Sequence, residues 1–194
     1  MKQAKVLTAN EMKRLLAVVA QERHADRNRL ILMLSYLAGL RVGEIASLRI
    51  GDVVDRDGNV KDVVYLNPAQ TKGAFHRTVF LNAKLRKELE RYVKSLSALP
   101  APLTTPDQPL IRSQKGGPFS ANSLCQLFSH LYRKAGIEGA SSHSGRRSFI
   151  TKLAHSAVSA KVIMELAGHR HLATTQRYID VNDEMKRSAV ELLS

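Results

Sequence analysis

Apolar residues recur at helical spacing from the start of the chain. Thr8 and Glu11 form a T-x-x-E capping box ahead of Met12, Leu15, Leu16 and Val19, which predicts a first helix. Asp26 is placed to cap a second helix through Leu30, Leu34 and Leu37 that stops at Gly39. A short third helix spans about Val42 to Leu48. The period then changes. Val53-Val54-Asp55 and Val63-Val64-Tyr65-Leu66 flank Asp57-Gly58, a hairpin signal, and Arg77 to Leu81 reads as a third strand. Leu85, Leu89, Val93 and Leu96 return to one helical face. Four of the six prolines follow, at 100, 102, 106 and 109, marking a surface loop over 97–109. Ser120 can cap a helix bearing Leu124, Leu127, Phe128 and Leu131, closed by Gly136. Shorter helical patterns occupy about 144–155, 159–167 and 183–193. The expected class is α+β, mainly helical, with one small antiparallel three-stranded sheet over roughly 50–81.

Length and composition sharpen this picture. A chain of 194 residues fits one domain, or at most two small ones, and 44% hydrophobic content supports a packed core. The single cysteine, Cys125, excludes a disulfide framework and a cysteine-rich zinc site, and suits a reducing cytoplasm. The polar N-terminus does not read as a signal peptide, and the apolar stretch Leu30–Leu40 is too short to span a bilayer. A cytoplasmic protein with no membrane partner is expected.

Charge points to a partner. Lys and Arg number 30 against 17 Asp and Glu, a net charge of +13. Residues 108–179 hold ten of the basic residues and only two acids, Glu138 and Glu165. A long stretch nearly free of acids faces phosphate more often than a solvated run does, so a nucleic acid is the expected partner; solubility is the plainer alternative.

Several chemistries are missing from the sequence. It has no phosphate-binding G-x-x-x-x-G-K-[ST] loop, no H-E-x-x-H and no G-x-S-x-G. No acidic pair in the basic region suits two-metal nuclease chemistry. That region does contain His143-Ser144-Gly145-Arg146, whose first and last residues project to one face at a helix start and could meet one phosphate. Gly168-His169 follows a helix, and Tyr178 comes nine residues after His169 among polar neighbours. Earlier, Arg41 stands between two glycines, and Lys72 lies in the turn before the last strand. Each piece has a plainer reading: a helix-capping or surface histidine at 143, an Arg41–Glu44 ion pair, a solvated Lys72. Tyr36, Tyr65, Tyr92 and Tyr132 fit apolar faces and read as packing residues.

The combination is more specific than its parts. The order R…K…H-x-x-R…G-H-x8-Y on a helix–sheet–helix framework resembles the tyrosine recombinase, or phage integrase, family. The likeness covers essentially the whole chain as that family's catalytic domain. It fills all six polar positions: Arg41, Lys72, His143, Arg146, His169 and Tyr178. Glu44 matches the acidic residue that supports the first arginine.

The resemblance implies a site-specific DNA recombinase acting without metal or other cofactor. Tyr178 would attack a DNA phosphodiester to form a 3′-phosphotyrosyl intermediate and free a 5′-hydroxyl. Arg41 and Arg146 would clamp the non-bridging oxygens, His143 would take a proton, His169 would donate to the phosphate, and Lys72 would protonate the leaving oxygen. Double-stranded DNA and further recombinase subunits, in a tetrameric synapse, are the implied partners. Met185, Ala189 and Leu192 of the last helix would dock on a neighbouring subunit or fold back in cis. Relatives usually carry an N-terminal DNA-gripping domain, and only about seven residues precede the first helix here. The expectation is a single catalytic domain, 1–194, either cut from a longer integrase or resembling the short fimbrial phase-variation recombinases. Two rival readings stay open: a non-catalytic DNA-binding regulator of the same fold, and type IB topoisomerase-like strand passage.

Overall fold

A computed structural model of the chain describes residues 3–97, 105–179, 181 and 183–191. Helix α1 (Ala9–Val19) starts at the expected capping box, with the Thr8 hydroxyl accepting from the Glu11 N–H and the Glu11 carboxylate accepting from the Thr8 N–H. It buries Met12, Leu15 and Val19. Helix α2 (Ala25–Ala38) has His24, rather than Asp26, at its N-cap position, and Asp26 lies in the first turn where its charge suits the helix N-terminus. Every residue from Leu30 to Tyr36 is buried. A helix apolar on all sides belongs in the middle of a domain, and α2 is the central element here. It ends at Gly39 in the left-handed region (φ 61°). A Cβ there would fall 2.5 Å from the Phe149 ring, so glycine is needed both for the turn and for the space.

Two short helices follow, α3 (Val42–Ser47) and α4 (Ile50–Val53). The strand expected at 53–55 is not formed. Ile50 and Val53 are both buried, three residues apart, and the Asp52 carboxylate accepts the Arg49 N–H at the helix start. That spacing is one helical turn, and it outweighs the β-branched pair at 53–54. What remains of the hairpin is an isolated Val54–Val60 bridge. Among the described residues the sheet is therefore two-stranded and antiparallel, β1 (Val63–Leu66) against β2 (Arg77–Phe80), with Leu66 opposite Arg77 and Val63 opposite Phe80. Val64, Leu66, Arg77 and Val79 point inward. Tyr65 lies in the other phase of the strand and is 71% exposed, so it is not a packing residue. Tyr36, Tyr92 and Tyr132 are buried as expected, and burial pushes the Tyr92 hydroxyl up to about 12.

The second half is helical: α5 (Ala83–Ser97), α6 (Ala121–Lys134), α7 (Ser144–His155), α8 (Ala160–Ala167), α9 (Leu172–Gln176) and α10 (Asp183–Glu191). Ser120 caps α6 through the Ser123 N–H. Helix α7 lies on α2 at close range, since a Cβ on Gly145 would sit 2.6 Å from Ser35 Oγ. Pro100 and Pro102 of the expected loop lie outside the described residues, as do Leu192 and the side chain of Met185. Ala189 is exposed and faces a groove that Ala154, Val158 and Ile179 also line. Two apolar clusters hold the fold. The larger joins α1–α6 and the sheet; the smaller is Ile150, Ala154, Ile163 and Ala167, with Tyr178 and Ile179 packed on its edge. No helix among the described residues is long and apolar enough to cross a membrane.

Candidate functional site

The last carbonyls of a helix have no partner within it and carry the negative end of its dipole. Two such ends, of α2 and α8, meet in this protein, and three arginines fill the gap. Arg41 Nη2 donates to Gly168 O at 3.0 Å. Arg77 Nη2 donates to Leu166 O at 2.8 Å and Nη1 donates to Glu44. Arg146 donates from Nη1 to Gly39 O and from Nη2 to Ala167 O. Arg77 Nη2 also donates to Gly39 O at 3.4 Å, so both of its hydrogens are engaged, whereas the terminal nitrogens of Arg41 and Arg146, each with two hydrogens, keep donors for a ligand.

One acid balances the three. Glu44 is 1% exposed; its Oε1 accepts from Arg41 Nη1 at 2.8 Å and its Oε2 from the Arg41 N–H at 2.8 Å and from Arg77. The Arg41–Glu44 ion pair read from the sequence is therefore present, alongside the contact with Gly168. Three guanidiniums against one carboxylate leave the site short of negative charge. Burial, and then the nearby Arg41 and Arg77, push Arg146 down to about 9, so it stays charged at neutral pH.

The other expected residues gather around this core. His169 follows Gly168, whose left-handed backbone (φ 61°) ends α8. Its Nδ1 lies 2.9 Å from the buried Thr175 Oγ1. Its ring stacks on Tyr178, centroids 5.7 Å apart at 21°. Burial, followed by the charges of Arg146, Arg41 and Arg77, pushes His169 down to about 4. Tyr178 is half-buried, and its ring lies 5.8 Å from the Arg147 guanidinium. His143 is exposed at the N-cap position of α7. It lines one cleft with Arg41 and Lys72, and a second with Tyr178 and Arg147. Lys72 is exposed on the β1–β2 turn. Thus Arg41, Lys72, His143, Arg146, His169 and Tyr178, spread over 138 positions of sequence, form one region around the ends of α2 and α8.

Two neighbours were not singled out from the sequence. Arg77 was read only as a strand residue, although it is in phase with Val79; a cation at an inward strand position needs a buried acid, and Glu44 supplies it. Arg147 was overshadowed by Arg146, and only the tertiary fold sets it over the Tyr178 ring.

The low proton affinity of His169 has a measurable consequence. A free histidine protonates near pH 6.5, whereas the folded His169 stays neutral down to about 4. Between those values the unfolded chain binds a proton that the folded one refuses, so stability falls as pH drops through that window. His169→Gln removes this contribution. Its thermal midpoint is expected to fall less steeply than that of the unsubstituted chain between about pH 6.5 and pH 4. Parallel curves in the two proteins would contradict the assignment.

The chain resembles known proteins along nearly its whole length. The sequence matches the phage integrase family over residues 5–185. It is 36% identical over 187 residues to tyrosine recombinase XerA of Thermococcus kodakarensis, covering 96% of this chain and 62% of that protein. It is 31% identical over 191 residues to XerA of Pyrococcus furiosus, covering 96% and 61%. The chain thus spans about three fifths of the length of these curated relatives. A crystal structure of XerA recombinase superimposes with a TM-score of 0.75 at 24% identity, over 98% of this chain and 66% of that one.

Proposed function

The chain belongs to the phage integrase family, and from that premise we propose that it is the catalytic domain of a site-specific DNA recombinase. The observation that carries this reading is the meeting of Arg41, Arg146 and His169 beside a half-buried Tyr178, with Lys72 and His143 exposed along the adjoining clefts. The site has three arginines and one acid, and a DNA phosphate supplies the negative charge it lacks.

In the proposed reaction Tyr178 Oη attacks the phosphorus, and its proton passes to His143. The bond from phosphorus to the 5′-oxygen breaks. Lys72 gives that oxygen a proton, so a 5′-hydroxyl leaves and the 3′ end stays on the tyrosine. A 5′-hydroxyl from a partner strand reverses these steps and rejoins the DNA. Bond energy is conserved, because one phosphodiester replaces another. Arg41 and Arg146 stabilise charge on the non-bridging oxygens as fixed forks, a task a lysine performs less well. His169 is neutral at pH 7, and in the tautomer whose Nδ1 accepts from the Thr175 hydroxyl its Nε2–H is left to donate to the phosphate. A free tyrosine is only about one part in a thousand phenolate at pH 7. Arg147 lies beside the Tyr178 ring and brings positive charge next to the attacked phosphate.

Strand exchange requires a second duplex, so the domain is proposed to work with further copies of itself in a four-subunit assembly on DNA, with α10 as a contact element. The remaining Lys and Arg of residues 108–179 are proposed to hold the DNA backbone.

The test is covalent trapping. A pool of short nicked duplexes with randomised flanks loses its 5′-hydroxyl fragment on cleavage, so cleaved molecules stay attached to the protein and can be sequenced. A protein–DNA adduct that survives denaturation is the expected result. Intact DNA binding with no adduct anywhere in the pool would overturn the reading.

A further inference from the structure

The ammonium of Lys72 makes no hydrogen bond or ion pair among the described residues, yet the reaction proposed above needs it at one oxygen atom. Its turn could not hold it by local bonds alone. Gly73 and Ala74 are both in the left-handed region (φ 112° and 56°), the second without the freedom of a glycine. The turn is closed at its base by the Thr71 hydroxyl, which donates to Phe75 O at 2.6 Å and accepts from the Phe75 N–H at 3.2 Å. Nothing within the turn reaches across to the phosphate-facing arginines.

Arg170 does. Its Nη2 donates to Gly73 O at 2.6 Å, and its guanidinium lies 3.9 Å from the centre of the Phe75 ring. The packing is close enough that a Cβ on Gly73 would sit 2.7 Å from Phe75 Cζ and 3.2 Å from Arg170 Nη2. Arg170 directly follows His169, and Gly168, two positions back, carries the carbonyl that receives Arg41. The clasp therefore ties the Lys72 turn to the same backbone that places Arg41 and His169. A planar cation can stack and donate in-plane at once; a lysine cannot do both.

We propose that Arg170, acting with Phe75 and Gly73 O, is a positioning residue that holds the turn so that Lys72 reaches the leaving oxygen. This rests on the reading of Lys72 as the general acid. It predicts that loss of the clasp affects proton delivery and not phosphate or DNA binding.

The test uses a nicked duplex captured by trapping, made in two versions: the natural phosphodiester, and one with sulfur in place of the bridging 5′-oxygen. A thiolate leaves without a proton, so the sulfur substrate needs no acid. On the oxygen substrate Arg170→Ala is expected to slow adduct formation by about tenfold or more, and Arg170→Lys to do nearly the same. On the sulfur substrate both should return to within about threefold of the unsubstituted chain. Phe75→Leu removes the ring without touching any charge and should give the same pattern in weaker form. Equal slowing of Arg170→Ala on both substrates, weaker DNA binding, or no effect on either would each overturn the proposal. Lys72→Ala separates the two claims. If it is slow on oxygen and rescued by sulfur while Arg170→Ala is not rescued, the clasp fails and the acid stands. If sulfur does not rescue Lys72→Ala, the acid reading fails and the clasp falls with it.

Discussion

Tyr178→Phe is expected to give no covalent protein–DNA adduct and to leave DNA binding nearly unchanged. The substitution removes one hydroxyl, which in the proposed reaction is the nucleophile, and leaves nothing able to attack phosphorus. The expected loss is the whole of the catalysed rate, at least about a millionfold, and reads out as no detectable adduct. The rest of the side chain has other work. Its ring stacks on His169, faces Arg147 and packs on the edge of the Ile150, Ala154, Ile163 and Ala167 cluster, all of which phenylalanine retains. Affinity for duplex DNA should stay within about twofold of the unsubstituted chain and fall steeply with salt in both proteins, as it does when phosphates are neutralised. Trapping followed by peptide mapping checks the site of attachment. An adduct that persists in Tyr178→Phe, or maps elsewhere, would move the nucleophile to another residue.

Much of this arrangement was legible before any coordinates. The capping box at Thr8 and Glu11, the glycine stops at 39 and 168, and the apolar faces of α5 and α6 are local signals, and local signals survive folding. The six polar positions stand out because their order and spacing are unusual together, although Lys72 and His143 alone look like ordinary surface residues. What stayed hidden depends on distance in sequence. Arg77 is separated from Glu44 by 33 positions, and only its inward phase on β2 marked it. The one-turn helix α4 was hidden because Val53-Val54 favours a strand, while the contacts that bury Ile50 with Val53 are tertiary. Helix α9 buries a threonine and little else, so it has no apolar period to read. The Arg170 clasp joins two polar turns 97 residues apart, and nothing in either turn names the other.

The heaviest demand falls on Glu44. Among the described residues it is the one acid bonded to the arginine cluster at the ends of α2 and α8, and it is buried with Arg77. Glu44→Ala would leave Arg77 charged, out of water and facing Arg41 with no counter-ion. Breaking a buried pair on one side costs about 3–5 kcal/mol, more than the pair itself contributes, because the surviving charge cannot be solvated. The urea midpoint should shift down by the corresponding amount. Glu44→Gln keeps one acceptor oxygen but turns an N–H₂ group toward a guanidinium, so it should fall between the two. In Glu44→Gln the one remaining oxygen cannot serve both Arg41 Nη1 and the Arg41 N–H, so Arg41 loses one of the two contacts and adduct formation should fall even where the variant remains folded. Added phosphate offers a further check. An anion bound among Arg41, Arg77 and Arg146 replaces part of the missing charge, so phosphate should raise the urea midpoint of Glu44→Gln more than that of the unsubstituted chain. An unchanged midpoint in Glu44→Ala would mean that the three arginines do not depend on this acid, and the charge balance drawn for the site would be wrong.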